Sequence, residues 1–91
     1  MTVNTATHVL VSGRVQGVWF RSFTREQAQK NAVNGWVRNL TDGRVEVHLE
    51  GPNAAIEEVL SALHKGPRLA NVKELVKRAA HFQNCQKFRI L

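Results

Sequence analysis

Apolar and polar positions alternate weakly along His8-Val9-Leu10-Val11-Ser12-Gly13, and the stretch is rich in Val, which predicts a strand. Two glycines make a loop of the next five residues, Gly13-Arg14-Val15-Gln16-Gly17. From Phe20 to about Ala32 the spacing becomes helical: Phe20, Thr24, Ala28 and Ala32 share one i,i+4 line, with Phe23 beside it. Asn34-Gly35 then punctuates the chain. Gly35–Leu40 reads as a strand and Thr41-Asp42-Gly43 as a turn, Asp-Gly between two strand-like runs being a strong hairpin signal. Gly43–Glu50 alternates cleanly. Val45, Val47 and Leu49 are expected to face a core, and Arg44, Glu46, His48 and Glu50 to face water.

The second helix has the clearest pattern. Ile56, Val59, Leu60 and Leu63 keep i, i+3, i+4, i+7 spacing, with Asn53 as the expected N-cap and Glu57 and Glu58 near the positive end of the helix dipole. His64 and Lys65 fall in the last turn, Gly66 suits the position past the end, and Pro67 forbids continuation. Val72, Leu75, Val76 and Ala79 fit helical spacing better than period two, yet the segment is Val-rich and uncapped. Cys85–Leu91 alternates and reads as a strand. The order is β, α, β, β, α, an ambiguous element, then β. The split βαβ plan, with helices on one face of an antiparallel sheet, accommodates this order if Val72–Ala79 is a strand, bulged to absorb its irregular spacing.

Length and composition narrow the class. Ninety-one residues suffice for one core and not two, so residues 1–91 are expected to form a single domain with an ordered core over about 8–91. A hydrophobic share of 43% with 22% charged residues excludes a disordered chain. No apolar run exceeds three residues, whereas a membrane helix needs about 20. Residues 1–8 have no basic start and no apolar stretch of the kind a secretory leader carries. Cys85 is the lone cysteine, so no intrachain disulfide can form, and a cytoplasmic location is expected. The net charge is +6, and residues 65–91 carry seven basic side chains and one acidic. Such a balance favours anionic ligands, or is simply a solvated basic face.

The candidate chemistry lies in Gly13-Arg14-Val15-Gln16-Gly17-Val18-Trp19-Phe20-Arg21. Glycine at 17 permits positive φ, so successive N–H groups can converge on one point. The start of the helix adds unpaired donors and positive partial charge, and an Arg there can hold two phosphate oxygens in its planar fork. From these features alone the segment is either an oxyanion cradle or an ordinary turn before a helix. Other chemistries find less support. His8, His48, His64 and His81 offer no close ligand pair, so no metal site is expected. A phosphatase Cys needs an Arg six residues on, but that position is Leu91. No Walker A or dinucleotide fingerprint occurs, so no nucleotide cofactor is expected.

The spelling of this loop resembles the signature of the acylphosphatase family. Gly35-Trp36-Val37-Arg38-Asn39, then Asp42-Gly43 and Val45-Glu46, are similar to a second family stretch, and Gly51-Pro52 and Phe88-Arg89-Ile90 add to the likeness. The resemblance spans about residues 8–91. It implies a ferredoxin-like two-layer α+β sandwich (βαββαβ), with two helices on one face of an antiparallel sheet. It places the family's phosphate-binding arginine on Arg21 and its water-positioning asparagine on Asn39. The backbone N–H cradle falls on Val15, Gln16, Gly17, Val18, Trp19 and Phe20. The implied reaction is metal-independent hydrolysis of a small acyl phosphate to a carboxylate and inorganic phosphate, with phosphate also a competitive inhibitor.

No cofactor, nucleic acid or membrane partner is expected, and a monomer is the default. Arg14 either lines the mouth of the site or is simply exposed. Trp19, Phe20 and Phe23 are read as core and loop anchors in preference to substrate stackers. The family's usual Gly near the end of the first helix is Ala32 here, so a left-handed residue is expected at Ala32 or, at lower cost, at Asn31. Two rivals share the fold. One is an anion-binding module of the sort found within larger proteins, against which the presence of both Arg21 and Asn39 argues. The other is an RNA-binding module, which stacks bases on aromatics of its central strands; His8–Gly13 and Gly43–Glu50 contain none.

Overall fold

The computed structural model describes residues 3–91; Met1 and Thr2, part of the stretch read for a leader, lie outside them. Among the described residues the elements are β1 (Asn4–Arg14), α1 (Phe20–Lys30), β2 (Asn34–Asn39), β3 (Val45–Pro52), α2 (Asn53–Lys65), β4 (Asn71–Ala79) and β5 (Phe88–Ile90). The strands form one sheet in the order β4-β1-β3-β2-β5. β1 pairs antiparallel with β3 and β4, and β2 antiparallel with β3. This is the ferredoxin-like α+β sandwich expected from the sequence, extended by β5, which joins β2 in parallel and makes the sheet mixed.

Register explains the core. Val9 lies opposite Val47 and Val11 opposite Val45, while Val37 meets Val47 from the other side. All five are fully buried, and with Leu49 they form the face on which the helices lie. Against it α1 packs Phe20, Thr24 and Ala28, and α2 packs Ile56, Val59, Leu60 and Leu63. Burying a Val or Leu side chain is worth about 1.5–3 kcal/mol, so this stripe-on-sheet contact holds the layers together. The buried Thr24 hydroxyl donates to the Phe20 carbonyl at 2.8 Å, so its burial leaves no orphan donor. Gly35 lies where β2 crosses β3: a Cβ there would stand 1.8 Å from the His48 carbonyl oxygen, at φ 147°. Only glycine fits that approach.

Local expectations hold in some places and change in others. Val72–Ala79 belongs to a strand, and its irregular spacing is a bulge: Ser12 pairs with Glu74 but Gly13 with Val72, so Lys73 has no partner. α1 ends in a Schellman motif, with the Val33 N–H bonded to the Ala28 carbonyl at 2.8 Å and the Ala32 N–H to Gln29 at 3.2 Å. Ala32, not Asn31, takes the left-handed conformation (φ 56°), at a cost of about 1–2 kcal/mol. Asn31 instead turns its amide back onto the Gln27 carbonyl at 2.9 Å. Asn53 is the first helical residue of α2, after an N-cap at Pro52, and no acidic residue falls in the first turn, which leaves Glu57 and Glu58 beyond it. Gly66 closes that helix at positive φ, as its lack of a Cβ allows. Only Phe88–Ile90 of the final stretch is strand; Cys85, Gln86 and Lys87 are irregular.

The largest correction concerns the face expected to be wet. His48 is 1% and Glu50 7% exposed. Trp36 stacks on His48 with ring centroids 5.8 Å apart, and the 80–87 segment folds over Glu50. Glu50 accepts hydrogen bonds from the backbone N–H groups of Gln83 and Cys85, and pairs with His48 Nε2 at 2.7 Å. Burial pushes the Glu50 carboxyl up, but these donors and the His48 charge more than offset it, leaving its pKa below the ordinary value of 4.5. A carboxyl depressed by folding stabilises the protein above its unfolded pKa, and that contribution is lost as pH falls through the lower folded value. Glu50→Gln turns an amide donor towards backbone donors and breaks the pair. It is expected to cost about 3 kcal/mol at pH 7 and to shrink the acid limb of stability below pH 4.5. Urea midpoints of both proteins between pH 3 and 7 measure this, and parallel curves would rule the latch out.

Candidate active site

The loop between β1 and α1 is shaped by its own side chains. Val15 and Val18 are buried and pin it to the core. Gly17, at φ 73°, lets the chain curl between them. Trp19, the N-cap of α1, is left-handed as well (φ 68°, ψ 19°) and makes no side-chain capping bond. No side chain therefore caps the first turn of α1, whose leading N–H groups and positive dipole end follow directly on the curl. The Gln16 side-chain amide, read from sequence only for its backbone, spans outward. Its Nε2 donates to the Leu40 carbonyl at 2.7 Å and the Arg44 carbonyl at 2.9 Å. It thereby ties the loop to the β2–β3 turn, whose own closure is the Leu40 N–H to Arg44 carbonyl bond at 2.8 Å.

That tie brings two distant residues together. Arg21 is half-buried on the first turn of α1, with Nη1 3.5 Å from the Leu91 carbonyl oxygen, at the limit of a hydrogen bond. Asn39 ends β2, where its backbone pairs with Val45 and its side chain is free of the ladder. Both line one open cleft of about 380 Å³, together with Val15, Gly17, Trp19 and Phe20. Six of the eight residues singled out from the sequence thus meet there. Gln16 and Val18 do not line it, because their side chains are spent on anchoring the loop. Ser22 and Ile90 complete the wall. Neither was legible beforehand: Ile90 arrives on β5 from the far end of the chain, and Ser22 is an exposed helical residue without a motif.

The aromatic residues divide. Phe20 is buried, and Phe23 packs against the core with its ring centroid 6.3 Å from that of Phe20, as anchors should. Trp19 is 76% exposed, so it anchors nothing. Arg14 is exposed and is not in the cleft wall. Cys85 is half-buried, and burial, followed by the nearby Glu50 carboxylate, pushes its thiol up and away from the nucleophilic thiolate. Among the described residues, His48, Glu50 and Cys85 are the metal-ligating side chains that come within 4.8 Å of one another. The carboxylate there already accepts three hydrogen bonds, so the group acts as the latch of the 80–87 segment. Among the described residues no helix is long and apolar enough to cross a membrane.

Comparison with known proteins places the chain in a family. The family model described as acylphosphatase matches residues 7–90. The chain is 56% identical over 72 residues to an acylphosphatase of Haloarcula marismortui, a match covering 79% of each chain. It is 44% identical over 86 residues to one of Nitrosococcus oceani, covering 94% of this chain and 97% of the relative. The crystal structure of acylphosphatase from Bacillus subtilis superposes with a TM-score of 0.93 at 33% identity, covering 98% of this chain and 99% of that one. With its fold, its loop and its relatives in agreement, the chain belongs to the acylphosphatase family, hydrolases that act on acyl phosphates.

Proposed function

We propose that this acylphosphatase hydrolyses small acyl phosphates without a metal ion. Arg21 and the N–H groups of Val15 through Phe20 bind the phosphate, and Asn39 holds the attacking water. The observation that carries the reading is that Arg21, Asn39 and the curled loop border the same cleft. The chemistry suits so few groups. The leaving carboxylate has a pKa of about 4, near that of Asp or Glu, so no general acid has to protonate it. Phosphoryl transfer is loose, and catalysis is mostly positioning and stabilisation of charge on the equatorial oxygens. The guanidinium and the preorganised N–H groups supply that stabilisation. Asn39, a neutral amide, orients water in line and takes no proton. The proton passes to an oxygen of the substrate.

The same picture extends to the surroundings of the site. Edge strand β4 carries exposed Lys73, Lys77 and Arg78, which oppose edge-to-edge pairing and support a monomer. The shared core of both helices supports residues 1–91 as one domain. The unpaired Cys85 supports a reducing, cytoplasmic setting. Phosphate release from benzoyl phosphate, followed with and without EDTA across a series of inorganic phosphate concentrations, tests the reading. Turnover is expected to ignore the chelator, and phosphate to raise KM without lowering kcat. Loss of activity with EDTA would refute the metal-free step, and a rate indifferent to saturating phosphate would refute the cradle.

A further inference from the structure

We propose that His48, Glu50 and Cys85 form a structural zinc site that fastens the 80–87 segment to the face of the sheet opposite the helices. The three come from distant parts of the chain: His48 and Glu50 share one face of β3, and Cys85 arrives 35 residues after Glu50. Each offers one donor atom, and the imidazole nitrogen, the carboxylate oxygen and the sulfur all lie within 4.8 Å of one another. Ligands held on one zinc ion at 2.0–2.3 Å stand about 3–4 Å apart, so small side-chain adjustments close the set. His48 and Glu50 are more than nine-tenths buried and Cys85 is half-buried. The donor types select the ion. Calcium and magnesium take oxygen alone, whereas zinc takes imidazole, carboxylate and thiolate together.

The surrounding groups hold these donors in place, as the outer partners of zinc ligands do. Trp36 stacks on the His48 ring with centroids 5.8 Å apart. Asn34 donates from Nδ2 to the Cys85 carbonyl at 3.0 Å. Glu50 accepts the Cys85 N–H on Oε1, and both His48 Nε2 and the Gln83 N–H on Oε2. A carboxylate has about four lone-pair sites, so Oε1 keeps one for a metal. A cavity of about 280 Å³ is bordered by Glu50 and Cys85, with Asn4, Asn34, Asn84 and Gln86 in its wall. It supplies an entry path and room for a water as fourth ligand. On binding, the thiol gives its proton to solvent, and the imidazole keeps its hydrogen on Nδ1 with Nε2 on the ion. None of the three ligands borders the cleft of Arg21 and Asn39, so the ion takes no part in hydrolysis. Hydrogen bonds latch the segment without it. Zinc strengthens that latch by binding the folded arrangement in preference to the unfolded chain.

The test titrates protein stripped with EDTA and dialysed, using zinc and, separately, cobalt(II). Cobalt is expected to add a thiolate-to-metal charge-transfer band in the near ultraviolet, and zinc to abolish it by displacement. The urea midpoint is expected to rise with free zinc. Losing an outer partner of a metal ligand costs about 10–100-fold in affinity, so Cys85→Ser, which removes a ligand itself, is expected to weaken zinc by about 100-fold or more and to erase the band. His64→Gln, at an exposed histidine outside the cluster, is expected to change neither. The buried His48 is tested without replacing it. In Trp19→Gly, a change the left-handed backbone accepts, Trp36 is the remaining tryptophan, and cobalt is expected to quench its emission through the stacked imidazole. Absence of the band, a Cys85→Ser protein that holds zinc within threefold of wild type, a midpoint indifferent to zinc, or Trp36 emission untouched by cobalt would each overturn the site.

Discussion

Replacing Arg21 with Gln is expected to lower kcat/KM for any acyl phosphate by about 10³-fold or more. Removal of a single preorganised donor from a site that stabilises developing charge costs about 10²–10³ in rate. Arg21 combines a full charge with a two-pronged fork, so its loss removes binding and transition-state stabilisation together. Arg21→Lys keeps the charge but not the fork, and is expected to recover only part of the loss. The side chain is half-buried and makes one marginal contact, 3.5 Å to the Leu91 carbonyl, so neither variant should change the circular dichroism or the melting point materially. Steady-state phosphate release across a substrate series measures the effect. Activity in Arg21→Gln within tenfold of wild type would remove Arg21 from the mechanism.

Asn39→Ala is expected to behave differently, and the contrast is the sharper test. If Asn39 orients water and does not grip the phosphate, its truncation lowers kcat by about 10²-fold while KM and the inhibition constant for inorganic phosphate stay near wild type. The backbone of Asn39 keeps its pairing with Val45, and the side chain is exposed, so the hairpin survives the change. Asn39→Asp adds a negative charge beside an anionic substrate, and is expected to raise KM as well as lower kcat. A large rise in the phosphate inhibition constant of Asn39→Ala would show that the amide holds the phosphoryl oxygens and not the water.

Much of this site can be read from spelling because its parts are local. The curl needs Gly17, the N–H groups belong to consecutive residues, and Arg21 follows within one helical turn. What brings Asn39 to them is less visible. The tie runs through the Gln16 amide to Leu40 and Arg44, bonds that cross 24 and 28 residues of chain. Ile90 reaches the same wall only because β5 adds to the free edge of β2. The polar face of β3 misled for the same reason. Alternation shows that His48 and Glu50 point away from Leu49, but not that the 80–87 segment returns to cover them. Trp19 reversed in the other direction: beside Phe20 it looks like core, yet it sits at a left-handed Cα with its indole exposed.

The amino-acid sequence by itself determined the periodic elements and their apolar faces, since strand and helix periods are properties of neighbours a few residues apart. It also determined the curled loop proposed as the phosphate cradle, because that loop is built from consecutive residues at a helix start. Tertiary structure alone decided which side chains those elements finally cover or expose, because burial depends on segments far apart in the chain. The meeting of Arg21 with Asn39, the buried Glu50 latch and the outward Trp19 all follow from long-range packing of that kind.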